Sequence, residues 1–157
     1  MAQWIKTEFG SIALLSNHDP FPKTDQALIE PNGLIAISKT LEAKKIIEAY
    51  KQGIFPWFNK HEPILWWSPD PRLILFPEDL IISSSLSKKI RKNNYRFLID
   101  NDFSSIIKHC SEIKRKGQDG TWIDDRIINA YSELHQSKIA HSFEIYVNEN
   151  LVGGLYG

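Results

Sequence analysis

Hydrophobic residues recur every three or four positions in three stretches of the chain, the spacing of one helix face. The stretches are 41–52 (Leu41, Ile46, Ile47, Ala49, Tyr50), 103–116 (Phe103, Ile106, Ile107, Cys110, Ile113) and 124–138 (Ile127, Ile128, Tyr131, Leu134). Thr40 is the predicted N-cap of the first helix, and Gly53 follows its end. Asp100 or Asp102 is predicted to cap the second helix, and Asp124 the third.

Shorter apolar runs, bounded by glycine, proline or polar residues, predict strands. They lie at 10–15, 33–37, 73–76, 80–83, 95–99, 142–147 and 151–156, and 84–93 is predicted as a short helix or turn. The rest of 1–39 is predicted to be irregular. Asn148-Glu-Asn150 predicts a hairpin between the last two strands. Helices and strands in this order predict an α/β fold.

The last strand, Leu151–Tyr156, precedes a single glycine, so the final hairpin should present an apolar edge. Natural sheets usually cover or charge such an edge. We therefore expect the chain to stop partway through a sheet, as a fragment of a longer protein. The alternative is an edge hairpin that the rest of the fold covers.

The stretch Gly53–Arg72 contains three of the five tryptophans and four of the eight prolines. Its prolines fix φ and remove backbone donors, so it is predicted to be neither a helix nor a good central strand. Its large aromatic surface favours one of two roles. The stretch is either a loop that its aromatic side chains pin into the core, or a stacking platform for a nucleobase.

The chain has 157 residues and a formal net charge of zero. This length is that of one ordinary domain, and a neutral chain favours no class of charged partner. There is no charged leader followed by an apolar run, and no apolar run approaches the roughly 18 residues of a membrane span. We expect a monomeric cytoplasmic protein without a membrane segment.

The sequence lacks the usual signatures of catalytic and metal sites. Its single cysteine, Cys110, falls on an apolar helix face, which favours a buried structural thiol over a nucleophile. The five histidines are scattered without metal-ligand spacing. Neither Gly-x-x-x-x-Gly-Lys-Ser/Thr nor Gly-x-Gly-x-x-Gly occurs. No cofactor is predicted.

Positive charge is concentrated in one place. Five cations fall within nine residues, with no acidic residue among them: Lys88, Lys89, Arg91, Lys92 and Arg96. Such a patch can hold a phosphate backbone, or it can be a solvated helix face. A smaller cluster, Lys114-Arg-Lys116, lies at a predicted helix end, where the helix dipole favours cations without any ligand.

Trp122 lies in Gly120-Thr-Trp-Ile-Asp, between a glycine loop and a predicted helix start. Two indoles from separate loops could hold one base between them, and Trp57 is a candidate for the other face. With a basic patch nearby, that arrangement would bind an RNA 3′ end. Sequence spacing does not show whether the two loops meet.

Several longer motifs resemble those of bacterial leucyl/phenylalanyl-tRNA–protein transferase, and they span about 30–157. They are Glu30-Pro-Asn-Gly-Leu, Ala49-Tyr-Lys-Gln-Gly-Ile-Phe-Pro-Trp-Phe58, Pro63-Ile-Leu-Trp-Trp-Ser-Pro-Asp-Pro-Arg72, Gly120-Thr-Trp-Ile123, Ala130-Tyr-x-x-Leu-His135, Ala140-His-Ser-x-Glu144 and Leu151-Val-Gly-Gly-x-Tyr-Gly157. The resemblance implies transfer of leucine or phenylalanine from aminoacyl-tRNA to the N-terminal arginine or lysine of a protein, which marks that protein for degradation.

The resemblance also implies roles for individual residues. Trp57 and Trp122 match the tryptophans that hold the terminal adenosine of the tRNA, and Tyr50 matches a tyrosine of the same pocket. The implied contacts to the acceptor stem are Lys88, Lys89, Arg91 and Lys92. The implied domains are an N-terminal α/β domain at 1–100, with the aromatic loop, and the start of an acetyltransferase-like domain at 101–157, a helix plus a β-hairpin.

The chain departs from the family pattern in two ways. Ser38-Lys-Thr-Leu41 replaces the usual Gly-Gly-Asp-Leu, which removes two permissive glycines. The family's catalytic positions would follow Gly157, so no catalytic residue is assigned. Three hypotheses remain: part of an aminoacyl transferase without its reaction centre, a non-catalytic remnant that binds tRNA 3′ ends, or a structural module whose tryptophans are all core.

Overall fold

The computed structural model describes residues 2–113 and 121–157, and this part of the chain has a mixed α/β fold with two sheets. The strands are β1 Gln3–Thr7, β2 Gly10–Leu15, β3 Leu34–Ser38, β4 Phe55–Pro56, β5 Ile64–Trp67, β6 Arg96–Ile99, β7 Ser142–Val147 and β8 Asn150–Tyr156. The helices are α1 Ala43–Tyr50, α2 Ser84–Lys92, α3 Phe103–Glu112 and α4 Asp125–Gln136. The predicted α/β fold class is confirmed.

The first sheet has the strand order β1-β2-β3-β5-β4. β2 and β3 run parallel, and the other neighbours are antiparallel. Three of its strands, β1, β4 and β5, were not predicted. The expectation of a poor central strand is wrong for Ile64–Trp67, because Pro63 and Pro69 flank this strand and leave its backbone donors intact.

The second sheet is antiparallel, in the order β6-β7-β8, and confirms the predicted strands near 95–99, 142–147 and 151–156. Asn148 and Glu149 both have positive φ, 48° and 64°, which is the signature of a two-residue type I′ hairpin. In the described part of the chain, β8 forms the edge of this sheet and exposes Val152 and Leu155. The predicted apolar edge is therefore present.

The larger of two hydrophobic clusters in the described residues joins β2, β3, β5, α1, α3 and α4. Trp66 is completely buried in it, and its indole N–H donates to Ser38 Oγ at 2.9 Å. One of the five tryptophans is thus a core residue with a satisfied polar atom. The division into domains at residue 100 stays a prediction.

The predicted strands at 73–76 and 80–83 are wrong. The segment contains only a short 3₁₀ turn, Pro77–Asp79, with extended chain on both sides. Leu73 is 98% exposed and Ile81 92% exposed. A strand needs a neighbour for its backbone hydrogen bonds, and no described strand pairs with this segment.

The helices begin close to their predicted starts, but α1 has a different cap. Glu42 occupies its N-cap position without a side-chain bond, and the Thr40 hydroxyl donates to the Asn17 side chain instead. Asp102, rather than Asp100, caps α3 by accepting from the Ser105 N–H at 3.1 Å. Because Asp100 binds the β7 segment, its carboxylate is not available to the helix.

The stretch 84–93, predicted as a short helix or turn, forms helix α2, and α3 and α4 end slightly earlier than predicted. The Lys114–Lys116 cluster and the glycine loop from Gly117 to Gly120 lie outside the described residues. Cys110, predicted to be a buried structural thiol, is only partly buried on α3. None of the helices within 2–113 and 121–157 has the length and apolarity of a membrane span.

Candidate nucleic-acid interface

Trp57 is held by its backbone and leaves its indole open. Its N–H donates to the carbonyl of Leu65 at 2.9 Å, and its own carbonyl accepts from Trp67 Nε1 at 2.6 Å. The indole rings of Trp57 and Trp67 are tilted relative to each other, with centroids 6.0 Å apart. Trp57 is nevertheless 52% exposed. β5 therefore holds Trp57 in place while its ring faces solvent, which a core role for Trp57 does not explain.

Trp122 is more enclosed than Trp57. It is partly buried and packs against the main hydrophobic cluster. The turn around it is closed by the Thr121 hydroxyl, which accepts from the Ile123 N–H at 2.9 Å. Among the described residues, no ring contact joins Trp57 and Trp122. The structure thus places both indoles at defined positions but does not stack one on the other.

Arg126, near the start of α4, connects the Trp122 segment to the loop that follows Trp57. Its Nη1 donates to the carbonyl of Glu62 at 2.7 Å, and its Nη2 lies 3.4 Å from the carbonyl of Asn59. Its guanidinium lies 4.4 Å from the centre of the Phe58 ring. The two tryptophan-bearing segments, far apart in the sequence, therefore meet in the fold.

Asp124 holds this arginine in place. Its carboxylate accepts from Arg126 Nε at 2.8 Å and from Nη2 at 2.7 Å, and it caps α4 through the backbone N–H of Arg126 and Ile127. Burial alone would raise the pKa of Asp124, but the Arg126 charge and these hydrogen bonds outweigh burial and lower that pKa below its ordinary value. The carboxylate is thus ionised at neutral pH.

Tyr50 lies at the mouth of an apolar cavity at the end of α1. The hydroxyl groups of Tyr50 and Tyr131 are hydrogen-bonded, and burial raises the pKa of Tyr131 far above its usual range, with a further contribution from Tyr50. The cavity has a volume of about 360 Å³. Its lining residues are Ile46, Ile47, Tyr50, Lys51, Tyr131, Leu134, Ile139, Ala140 and Gly157. Such a site suits an apolar group that carries one hydrogen-bonding atom.

The predicted backbone-binding residues all lie on α2. Lys88, Lys89, Arg91 and Lys92 are exposed, and none of them forms an ion pair with another described residue. Arg96, the fifth cation of the run, pairs with Glu149 at 3.0 Å. Hydrogen bonds and ring contacts of the described residues connect α2 neither to the Trp57 segment nor to the Trp122 segment. α2 is a separate, open basic surface.

Two further motifs have structural roles that explain them without a ligand. Asn32 Nδ2 donates to the carbonyl of Asp70 at 3.0 Å, and the Ser68 N–H donates to the carbonyl of Gly33 at 2.7 Å. These bonds fasten the motif that begins at Glu30 to the motif that ends at Arg72. Gly33 has φ +90°, and a Cβ there would lie 2.4 Å from the Pro69 nitrogen. Only glycine fits this close approach.

The motif Ala140-His-Ser-x-Glu144 fastens β7 to the turn before α3. His141 Nδ1 lies 2.7 Å from Asp100 Oδ2, and the His141 hydrogen bond is the main reason that the pKa of Asp100 is lowered. The fully buried Glu144 accepts from the Ser142 hydroxyl at 2.6 Å and from the Asp102 N–H at 3.2 Å. Every one of these contacts lies within the protein.

Sequence reasoning missed Arg126 and Tyr131 as members of the site. Tyr131 was interpreted as part of an apolar helix face, and its hydroxyl, a polar group on that face, was the available signal. Arg126 gave no signal, because its partners are backbone carbonyls of a distant loop. Among the described residues, no group of histidine, cysteine, aspartate and glutamate side chains has the arrangement of a metal site.

Comparison with known proteins finds two family matches. The family described as leucyl/phenylalanyl-tRNA protein transferase matches residues 74–157, and its N-terminal domain matches 39–70. The relatives are named leucyl/phenylalanyl-tRNA–protein transferases. That of Nitrosomonas eutropha is 51% identical over 146 residues, which is 93% of this chain and 62% of the relative.

Two other relatives give similar values. The Nitrosospira multiformis protein is 50% identical over 93% of this chain and 62% of its own length. For the Chromobacterium violaceum protein the identity is 49%, over 87% of this chain and 58% of its own length. The chain thus spans about three fifths of the length of these curated relatives. From these matches, together with the motif geometry above, the chain belongs to the leucyl/phenylalanyl-tRNA–protein transferase family.

Proposed function

We propose that this chain binds the 3′-terminal adenosine of aminoacyl-tRNA with Trp57, Trp122 and Tyr50. The contact of Arg126 with the loop after Trp57 is the main support, because it brings together the segments that carry the two indoles. Trp57 has an exposed ring on a fixed backbone, which is what base stacking requires. The apolar cavity beside Tyr50 adds space for the aminoacyl end.

The basic surface of α2 would contact the phosphates of the acceptor stem. Four exposed cations without ion-pair partners in the described part of the chain keep their full charge for a ligand: Lys88, Lys89, Arg91 and Lys92. Phosphate contacts of this kind give affinity and orientation, whereas the terminal nucleotide is held by stacking. The two surfaces therefore have separable roles.

The reaction in which this binding takes part is aminoacyl transfer. The α-amine of an acceptor protein with N-terminal arginine or lysine attacks the ester carbonyl that joins leucine or phenylalanine to the tRNA. A peptide bond forms, the ester C–O bond breaks, the amine loses a proton and the ribose regains its hydroxyl. The product is a protein marked for degradation.

Family resemblance puts the catalytic positions after Gly157, so the proposal assigns none here and includes no cofactor. It takes the protein to act as a cytoplasmic monomer.

The test compares binding of the 157-residue chain to intact tRNA and to tRNA that lacks only its 3′-terminal adenosine. Stacking on a base is worth roughly 1–3 kcal/mol, so removal of that nucleotide should weaken binding by about 5- to 150-fold. Equal affinity for the two RNAs would refute the adenosine site. Transfer of labelled phenylalanine to a peptide that begins with arginine, measured in parallel, separates a transferase from a chain that only binds RNA ends.

A further inference from the structure

We infer that Arg126 is a positioning residue that fixes the Trp57 and Trp122 segments relative to each other. This inference rests on the proposed function, since it concerns the spacing of the two indoles that would hold the adenine. Arg126 itself would not touch the RNA. Its side chain connects the start of α4, shortly after Trp122, to the loop directly after Trp57.

Each of the three guanidinium nitrogens donates to a protein acceptor. Asp124 accepts from Nε and Nη2 on one edge, at 2.8 Å and 2.7 Å. The carbonyls of Glu62 and Asn59 accept from the other edge, at 2.7 Å and 3.4 Å, and the flat face lies over Phe58. Because four of its five N–H donors are already bound within the protein, this arginine has little left to offer a phosphate.

The loop that Arg126 contacts is a closed turn. The Glu62 carboxylate accepts from the Asn59 backbone N–H at 2.9 Å. Hydrogen bonds from the backbone and the side chain of Asn59 lower the pKa of Glu62. The Glu62 N–H donates back to the Asn59 carbonyl at 3.1 Å. The two carbonyls that face Arg126 therefore have fixed positions, and the guanidinium binds a preformed surface.

Only arginine has the shape for this role. Its planar fork donates to a carboxylate on one edge and to carbonyls on the other, while its face stacks on an aromatic ring. The compact ammonium of lysine cannot make all three kinds of contact. A base enters a gap of fixed width without the entropic cost of ordering two loops, which improves affinity by preorganisation. Replacement of Arg126 should therefore weaken base binding even where the charge is kept.

The experiment uses the 157-residue chain and a fluorescein-labelled CCA trinucleotide as the probe. Arg126→Lys keeps the charge, and Arg126→Gln removes it. Both variants should bind the probe roughly tenfold more weakly, a loss within the range of one base stack. Ile107→Val is the control for stability, because it removes one methyl group from a buried residue of α3, leaves every Arg126 contact in place and should bind as the unaltered chain does.

A second measurement separates positioning from direct phosphate contact. The slope of log K against log salt should be the same for the unaltered chain and both Arg126 variants, because no phosphate contact is lost. Normal binding by Arg126→Lys would show that Arg126 does not set the position of the two segments. A slope lowered by about 0.7 in Arg126→Gln would show that Arg126 contacts a phosphate. Either result overturns the inference. An unaltered chain that does not bind CCA overturns the proposed function, and the positioning role with it.

Hydrogen exchange without RNA tests the connection itself. Backbone amides of 57–62 should exchange faster in both Arg126 variants than in Ile107→Val, because the loop loses its anchor while the core control keeps it. Unchanged exchange at these amides would show that Arg126 does not hold the loop, and the inference would fail even if RNA binding changed.

Discussion

Trp67 donates its indole N–H to the backbone carbonyl of Trp57 at 2.6 Å, so one tryptophan fixes the backbone of the other. The consequence is an indole at Trp57 whose position is set by the sheet, while half of its surface stays open. A hydrophobic side chain exposed in this way suggests a binding surface, especially where a second aromatic segment is fastened beside it.

Trp57→Ala should weaken binding of tRNA by roughly 1–3 kcal/mol, the contribution of one base stack. Its melting temperature should change little, because the residue is half exposed and its hydrogen bonds are made by the backbone. Fluorescence anisotropy with labelled tRNA measures the affinity, and calorimetry measures the melting temperature.

The matched control is Trp4→Ala, which removes an indole that is 49% exposed on β1 in the other part of the first sheet. It should bind tRNA normally. If Trp57→Ala also binds normally but melts earlier, the Trp57 indole is structural and the stacking proposal is wrong.

Neutralising the α2 cations, as Lys88→Gln, Lys89→Gln, Arg91→Gln and Lys92→Gln together, should flatten the salt dependence of tRNA binding. Each phosphate contact that is lost lowers the slope of log K against log salt by about 0.9 on a duplex stem. The slope is measured by titration at several salt concentrations. Binding of the short CCA probe should change much less than binding of whole tRNA, since the probe has no stem. An unchanged slope with tRNA would remove α2 from the interface.

Asp124→Asn should lower the free energy of unfolding at neutral pH by roughly 1–3 kcal/mol, because hydrogen bonds to a charged group are lost while the amide still caps α4. The folded-state pKa of Asp124 is lowered, so its contribution is present above the ordinary value of 3.8 and disappears as pH falls through the folded value. The unaltered chain and the variant should therefore converge in strong acid.

Urea unfolding from pH 7 down to acid measures that difference. Asp25→Asn, in an exposed 3₁₀ turn, is the control and should follow the unaltered chain at every pH. A difference between Asp124→Asn and the unaltered chain that stays constant with pH would mean that the carboxylate charge contributes nothing.

Gly33→Ala should destabilise the chain more than Gly53→Ala does. Both glycines have positive φ, +90° and +74°, which costs an L-residue roughly 1–2 kcal/mol. At Gly33 a new Cβ would also collide with the Ser68–Pro69 backbone, whereas Gly53 has open space. Thermal melting of the two variants isolates the collision from the backbone strain. Equal destabilisation would show that the approach of the two motifs is not tight.

The sequence by itself determined those elements that depend only on residues close together in the chain. The helix starts at Asp102 and Asp124 follow from the ability of a short carboxylate to accept from the first free N–H groups. The final hairpin follows from strand alternation around a polar turn. The run of cations that forms the basic surface of α2 was also visible in the sequence. The exposure of Trp57 was not decided there, because its stretch suited a core loop as well as a stacking platform.

The tertiary structure alone decided where strands find partners and which loops meet. Leu73 looked like part of a strand and Trp66 did not, yet Trp66 has a paired strand on both sides and Leu73 has none in the described part of the chain. Arg126 could not be recognised from the sequence, because backbone carbonyls carry no residue identity and its partners come from a distant loop. Pairing and contact across the chain depend on three-dimensional proximity, which no local pattern contains.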